Sequence, residues 1–213
     1  MLTVLTLGVE VNAVNMSTST STSKGGYHHG DLRAALVRAA IEILEESGDT
    51  DLSLRAVARR AGVSPAAPYR HYADREALAS AVAAVGYRDL AERLNEAHPC
   101  PSTPQQLAAV AVAYVQFALE RPALFRIMFA EPCDRDHDER AEATEAVTLY
   151  VRAIVERAFP PADPDALATA IWALVHGLAF LFLDQKLDAS TPSAVTDRVT
   201  AAIQAILAAT TTD

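Results

Sequence analysis

Between Leu54 and Tyr72 the chain reads LRAVARRAGVSPAAPYRHY, and few arrangements accommodate that run. Ser53 and Ser64 stand where helix N-caps are favoured, because a hydroxyl oxygen there accepts from backbone N–H groups that have no partner inside the helix. Pro65 follows at a first helical position, where a missing N–H costs nothing. Gly62 supplies a tight turn, and Ala58, four residues earlier, is small where two helices must approach. The spacing predicts a short helix over 54–61, a turn at Gly62 and a second short helix from Pro65. That is the layout of a helix-turn-helix, whose second helix enters the DNA major groove. Pro68 removes only a first-turn bond but pushes Ala67 away from the right-handed helical region, which leaves the geometry of that second helix open.

Charge distribution agrees with this layout although the total does not. The chain carries 18 Lys+Arg against 27 Asp+Glu, net -9, the wrong sign for a nucleic-acid binder. Residues 53–75, however, hold five arginines (Arg55, Arg59, Arg60, Arg70, Arg75) and one acid, Asp74, so this stretch is net +4. A compact basic patch therefore sits in an acidic protein.

The remainder reads as helix. Alanine fills 43 of the 213 positions while aromatics make up 6%, which favours helices over sheet. Leu32, Leu36, Ala40 and Ile43 recur at helical spacing before Gly48 ends that helix. Asp74 can cap a further helix running to about Ala97. Beyond the break Pro99–Pro104, candidate helices span 104–120, 122–130, 138–158, 165–187 and 193–209, separated by FPPADPD and DASTPS. Two cysteines, Cys100 and Cys133, cannot form a disulfide scaffold, and a reducing, cytoplasmic setting is expected. The start, residues 1–25, is apolar and then Ser/Thr-rich. It reads poorly as a signal peptide and is expected to be a disordered or mis-started tail, with Met16 as a second candidate start.

GYHHGDLRAALVRAAIEILEESG followed by LSLRAVARRAGVSPAAPYRHYADREAL resembles the DNA-binding domain of the TetR/AcrR transcriptional regulators over 26–80. Tyr69, His71, Tyr72, Arg75 and Leu78 meet the family's pattern at the junction of its third and fourth helices, with Arg75 where a lysine is usual. The segment Trp172-Ala-Leu-Val-His176-Gly177 is similar to the Trp-x3-His-Gly signature of one C-terminal subclass, as is AYVQFALERPALFRIMF at 113–129. The resemblance implies an all-α protein divided into a helix-turn-helix head (26–73), a connecting helix (74–98) and a helical effector-binding and dimerisation body (99–213). The partners it implies are a duplex DNA operator, a second copy of the chain and a small apolar effector, with no cofactor.

The candidate DNA-contacting residues are Ser53, Arg55, Ser64, Pro65, Ala66, Tyr69, Arg70, His71, Tyr72 and Arg75. Arg70 can read guanine, and Ala66 and Ala67 can meet thymine methyls. Arg75 opens a helix, where a cation opposes the macrodipole; a phosphate contact explains it better than a solvated arginine does. Tyr69 and Tyr72 can reach phosphates or pack in the core. Arg55 suits the DNA backbone; Arg59 or Arg60 is equally well a solvated face. Tyr27, His28 and His29 fall near the DNA edge by resemblance, although a histidine pair is more often structural.

In the body, Tyr114, Phe117, Phe125, Met128, Phe129, Trp172, His176 and Phe180 are the candidate ligand-binding residues. Helical spacing alone cannot separate a pocket from a packed core, and for His176 a hydrogen-bonded core histidine is the leading reading, with ligand contact the sharper alternative. The cluster Cys133, Asp134, Asp136, His137 and Asp138 lacks a second Cys/His pair at zinc spacing and reads as a charged loop, so no metal site is expected. No Ser/His/Asp order, glycine-rich phosphate loop or HExxH is present, and enzyme function has little support. Residues 166–183 carry no charged side chain and approach the length of a membrane span, yet His176 and Gly177 lie mid-segment and no basic cluster flanks it; a buried helix is the expectation. The whole reads as a homodimeric repressor paired through helices near 165–187 and 193–209, with a regulator lacking any effector as the alternative.

Overall fold

The computed structural model describes residues 29–130, 138–158 and 163–210; the expected tail at 1–25 and the cluster beginning at Cys133 fall outside the described residues, apart from Asp138. Among the described residues eight α-helices follow one another: α1 His29–Ser47, α2 Leu54–Arg60, α3 Arg75–Ala97, α4 Pro104–Glu120, α5 Pro122–Ala130, α6 Asp138–Ala158, α7 Pro164–Leu183 and α8 Pro192–Thr210. No strand occurs among the described residues. The all-α expectation holds, and most helix limits lie within a residue or two of those read from the sequence.

The punctuation works as the chemistry requires. Gly48 and Gly62 adopt φ of 69° and 71°, the left-handed region in which a side chain is strained. Asp74 caps α3 by accepting from the Ala77 N–H at 2.8 Å, Thr103 caps α4, and Asp163 caps α7 by accepting from the Asp165 and Ala166 N–H groups. Pro104 and Pro164 take first helical positions behind those caps. α7 ends at Leu183 rather than near 187, because Gln185 turns left-handed at φ 56°. The Lys186 and Gln185 N–H groups then close onto the Leu181 and Phe182 carbonyls, a Schellman-type stop made without glycine.

Two local expectations need correction. Ser53 has extended N-cap backbone, but its hydroxyl makes no capping bond. The second helix of the turn motif is not a regular α-helix: residues 65–67 form turns and only Pro68–Arg70 is helical, as 3-10. Pro68 has no N–H to return to the Ser64 carbonyl, so the segment closes with tighter bonds, Ala67 to Ser64 at 2.9 Å and Arg70 to Ala67 at 3.2 Å. Ala67 nonetheless sits in the right-handed region at φ -63°, ψ -42°, against the bias that a following proline imposes. The Pro68 ring is buried, and that packing overrides the local preference.

Around the central helix α3, α1 packs on one side and α4, α5 and α6 on the other, while α7 and α8 lie against α4. α4 and α5 meet at a bend of 102°. Arg121, at that corner, holds Glu45 of α1 at 2.7 Å and Asp89 of α3 at 2.5 Å, tying the body's corner to the head. α5 crosses α3 at Gly86. A Cβ built there would lie 2.6 Å from Met128 Sδ and 3.2 Å from Leu124 Cδ1, so the crossing needs hydrogen at this position. Gly86→Leu is expected to destabilise the fold by about 1–3 kcal/mol through overpacking, measured by urea denaturation. Adding Met128→Ala to it should recover part of the loss, whereas an unchanged midpoint in the single variant would contradict the close crossing.

Candidate nucleic-acid interface

The head presents its basic side chains outward. Arg55, Arg59, Ser64, Pro65, Ala66, Arg70 and Arg75 are all exposed, and Tyr69 is 53% exposed. The irregular segment after Gly62 therefore offers two small residues, a phenol and a guanidinium to solvent from consecutive turns, although its helix is short. Arg75 sits at the first position of α3 behind the Asp74 cap. Its guanidinium reaches back to the Thr50 carbonyl at 3.3 Å and approaches Asp51 at 3.8 Å, so it is oriented by the loop between α1 and α2 rather than loose in solvent.

Three other candidates have different surroundings. Tyr72 is 2% exposed; its hydroxyl donates to the Arg33 carbonyl at 3.4 Å and the Arg33 guanidinium lies 5.8 Å from its ring centroid. Its ring closes the head's core, which corrects the expectation that it is placed to meet a phosphate. Arg60 is bound to Glu42 and Glu46 on α1 and is not a plain solvated cation. His71 is half-buried.

In the body, a cavity of about 230 Å³ opens between α6 and α7 above a floor from α3, α4 and α5. Of the eight residues proposed from the sequence, Tyr114, Phe129 and Trp172 line it. Phe117, Phe125 and Met128 are buried in the core beneath, which corrects their placement as lining residues. His176 and Phe180 are half-buried behind the lining, stacked edge to face at 4.9 Å. His176 Nδ1 lies 3.0 Å from the Tyr114 hydroxyl. Burial pushes the Tyr114 phenol well above its ordinary range and pulls His176 below its own, so both are neutral at pH 7. The sequence reasoning missed Tyr87 on α3, Thr144, Thr148 and Arg152 on α6, and Asp165 and Thr169 on α7. Nothing in one helix's own pattern could reveal them, because the cavity exists only where α6 faces α7.

The described residues contain no group of three or more His, Cys, Asp or Glu able to hold a metal ion.

Comparison with known proteins places both halves of the chain. Residues 36–82 match the profile described as bacterial regulatory proteins of the tetR family, and residues 107–206 that of the tetracyclin repressor-like C-terminal domain. The HTH-type transcriptional regulator YobS of Bacillus subtilis is 24% identical over 156 residues, spanning 72% of this chain and 80% of that protein. The HTH-type transcriptional regulator BetI of Brucella canis is 26% identical over 168 residues, spanning 76% and 83%. A solved structure of a protein of unknown function from Rhodococcus sp. RHA1 superposes with TM-score 0.70 at 34% identity, covering 85% of this chain and 98% of its own. A tetR-family regulatory protein from Rhodococcus RHA1 superposes with TM-score 0.61 at 24% identity, covering 81% and 95%.

Two outcomes test the sites. Arg75→Ala is expected to weaken binding to every duplex and lower the salt slope by about one, whereas Arg70→Ala should cost about 1–3 kcal/mol on a specific site alone, read by fluorescence anisotropy across a salt series. Because the folded pKa of His176 lies below its unfolded value, its contribution to stability is full above about pH 6.5 and is lost as pH falls below that. The thermal midpoint of His176→Gln should therefore fall less between pH 7 and 5 than that of the parent.

Proposed function

The chain belongs to the TetR family of DNA-binding transcriptional regulators, and on that premise we propose that it acts in the cytoplasm as a homodimeric repressor released from a pseudo-palindromic operator by a small molecule. Residues 26–73 are the reading head, 74–98 the connecting helix and 99–213 the effector-binding and dimerisation body. Arg70, with Ala66 and Ala67, reads bases; Arg55, Ser64, Tyr69 and Arg75 hold the phosphates, with His71 beside them. Tyr114, Phe129 and Trp172 contact the effector, and His176 positions Tyr114.

The observation that carries this reading is the state of α7. It is the one described helix long and apolar enough to cross a membrane, yet only a third of it is buried within a single chain. Ala166, Ala170, Ala173 and Leu181 lie exposed along one face, with half-buried Gly177 among them. A Cβ placed on Gly177 would meet nothing within 4 Å. Small residues at helical spacing let a second helix approach closely, and an apolar face of this length in water calls for a partner. Exposed Ala201, Ala205 and Ala208 on α8 extend the surface. Pairing α7 and α8 with their copies covers it as a four-helix interface and sets the two heads at a fixed separation, one helical turn of DNA being about 34–36 Å.

An effector in the cavity touches Phe129 on α5 and Tyr87 on α3. The corner that starts α5 holds Glu45 of the head through Arg121. Displacing α5 therefore moves the head, and the effector's power to release DNA equals its differential affinity for the two head spacings.

Gly177→Leu tests the dimer without touching the fold of the single chain. Its added side chain enters open space within one chain but blocks the close approach of a second. Sedimentation should show monomer with an unchanged circular dichroism spectrum, and affinity for the chain's own upstream DNA should fall at least tenfold as the paired heads separate. A variant that remains dimeric would remove α7 from the interface.

A further inference from the structure

We propose that the effector is an amphiphile with one unbranched alkyl chain, whose far end fills a second recess beneath the slot between α6 and α7; this rests on reading the slot as the effector site. The recess lies among α3, α4, α6 and α7 and has a volume of about 30 Å³. It shares Tyr114, Val147, Val151 and Trp172 with the slot, so these four side chains form the passage between the two spaces. Its own walls include Leu94 of α3, Val110 and Ala111 of α4, Ile154 of α6, and Ile171 and Val175 of α7.

This lining selects carbon. Apart from Tyr114 and Trp172, every residue around the recess is aliphatic. The polar atoms of those two are engaged with each other and with His176. The Trp172 indole N–H bears on the Tyr114 hydroxyl, which lies 3.0 Å from His176 Nδ1. A polar ligand atom entering the recess loses its water partners without replacement, whereas a methyl or methylene gains contacts on every side. The small volume excludes a ring or a branched group and admits the end of a single chain.

The rim sets the chain's direction, and α3 sets its reach. Thr148, Arg152, Asp165 and Thr169 line the slot and are all exposed, and Arg152 is paired with Asp165 at 3.2 Å. A polar head stays hydrated at that rim while the chain runs inward. Tyr87 lines the slot and Leu94 the recess; they lie on one face of α3, about 10 Å apart along its axis. An extended octyl chain is of that length. A bound chain therefore touches α3 at two levels, and α3 carries the head.

Three alcohols with one head group and different carbon skeletons decide the matter by calorimetry on the full chain: n-octanol, n-butanol and cyclooctanol. n-Octanol is expected to bind about tenfold tighter than n-butanol, which ends in the slot, and than cyclooctanol, whose ring cannot pass. Ala111 lines the recess and not the slot. Ala111→Leu should lower n-octanol affinity about tenfold and leave n-butanol within a factor of about two. Ile171→Val, a gentler change, removes one methyl from the recess wall and should lengthen the preferred n-alkanol by about one carbon. Ala168 lines the slot alone, and Ala168→Leu should weaken all three alcohols. Weakening by Ala168→Leu with no response to Ala111→Leu or Ile171→Val would overturn the chain while leaving the slot as the effector site. Cyclooctanol binding as tightly as n-octanol would do the same. Binding that ignores Ala168→Leu, or no binding of any alcohol, would overturn the slot reading and the chain with it.

Discussion

One helix belongs to two cores, and the rest of the molecule is arranged around that fact. α3 spans 23 residues, about 35 Å at 1.5 Å per residue. It buries Leu78, Val82, Tyr87, Leu90 and Leu94 along its length. α1 packs on it from the head, and α4, α5 and α6 from the body. Each such apolar side chain contributes about 1.5–3 kcal/mol on burial, so burial along α3 supplies the stability that joins head to body. The ion cluster of Arg121 with Glu45 and Asp89 is partly exposed, with 24% of the arginine side chain accessible. Pairs of that kind contribute about 0–1 kcal/mol. Its importance is geometric: it makes the corner between α4 and α5 move with the head.

The same economy of polar groups runs through the body. Thr144, Thr148 and Thr169 lie on helices, where a hydroxyl can return its proton to the carbonyl four residues back. Three polar side chains thereby satisfy their protons within their own helices. Buried Tyr114 and half-buried His176 are both held neutral at pH 7, since desolvation disfavours either charged form.

Much of the architecture was legible residue by residue. Gly48 and Gly62 marked turns, Asp74 marked a cap, and the Pro99–Pro104 run marked the break before the helix that starts at 104. These signals act within four residues and need no partner from elsewhere in the chain. Where tertiary packing competes, local reading failed. Ser53 has the right backbone and no capping bond, and buried Pro68 holds Ala67 in the region its neighbour disfavours. Gln185 stops α7 in a left-handed conformation usually left to glycine. For Tyr72 the sequence left phosphate contact and core packing both open, and its neighbours put the ring in the core.

The amino-acid order determined the helices, their breaks, the arginine-rich head and the family, because periodicity, capping and local charge are properties of short stretches. Only the folded chain decided which aromatic rings face a cavity and which are packing. It alone set Thr148 and Arg152 across from Asp165 and Thr169, and left α7's alanine face uncovered. Those outcomes depend on which helix lies opposite which, a relation between residues far apart in the chain that no single helix records.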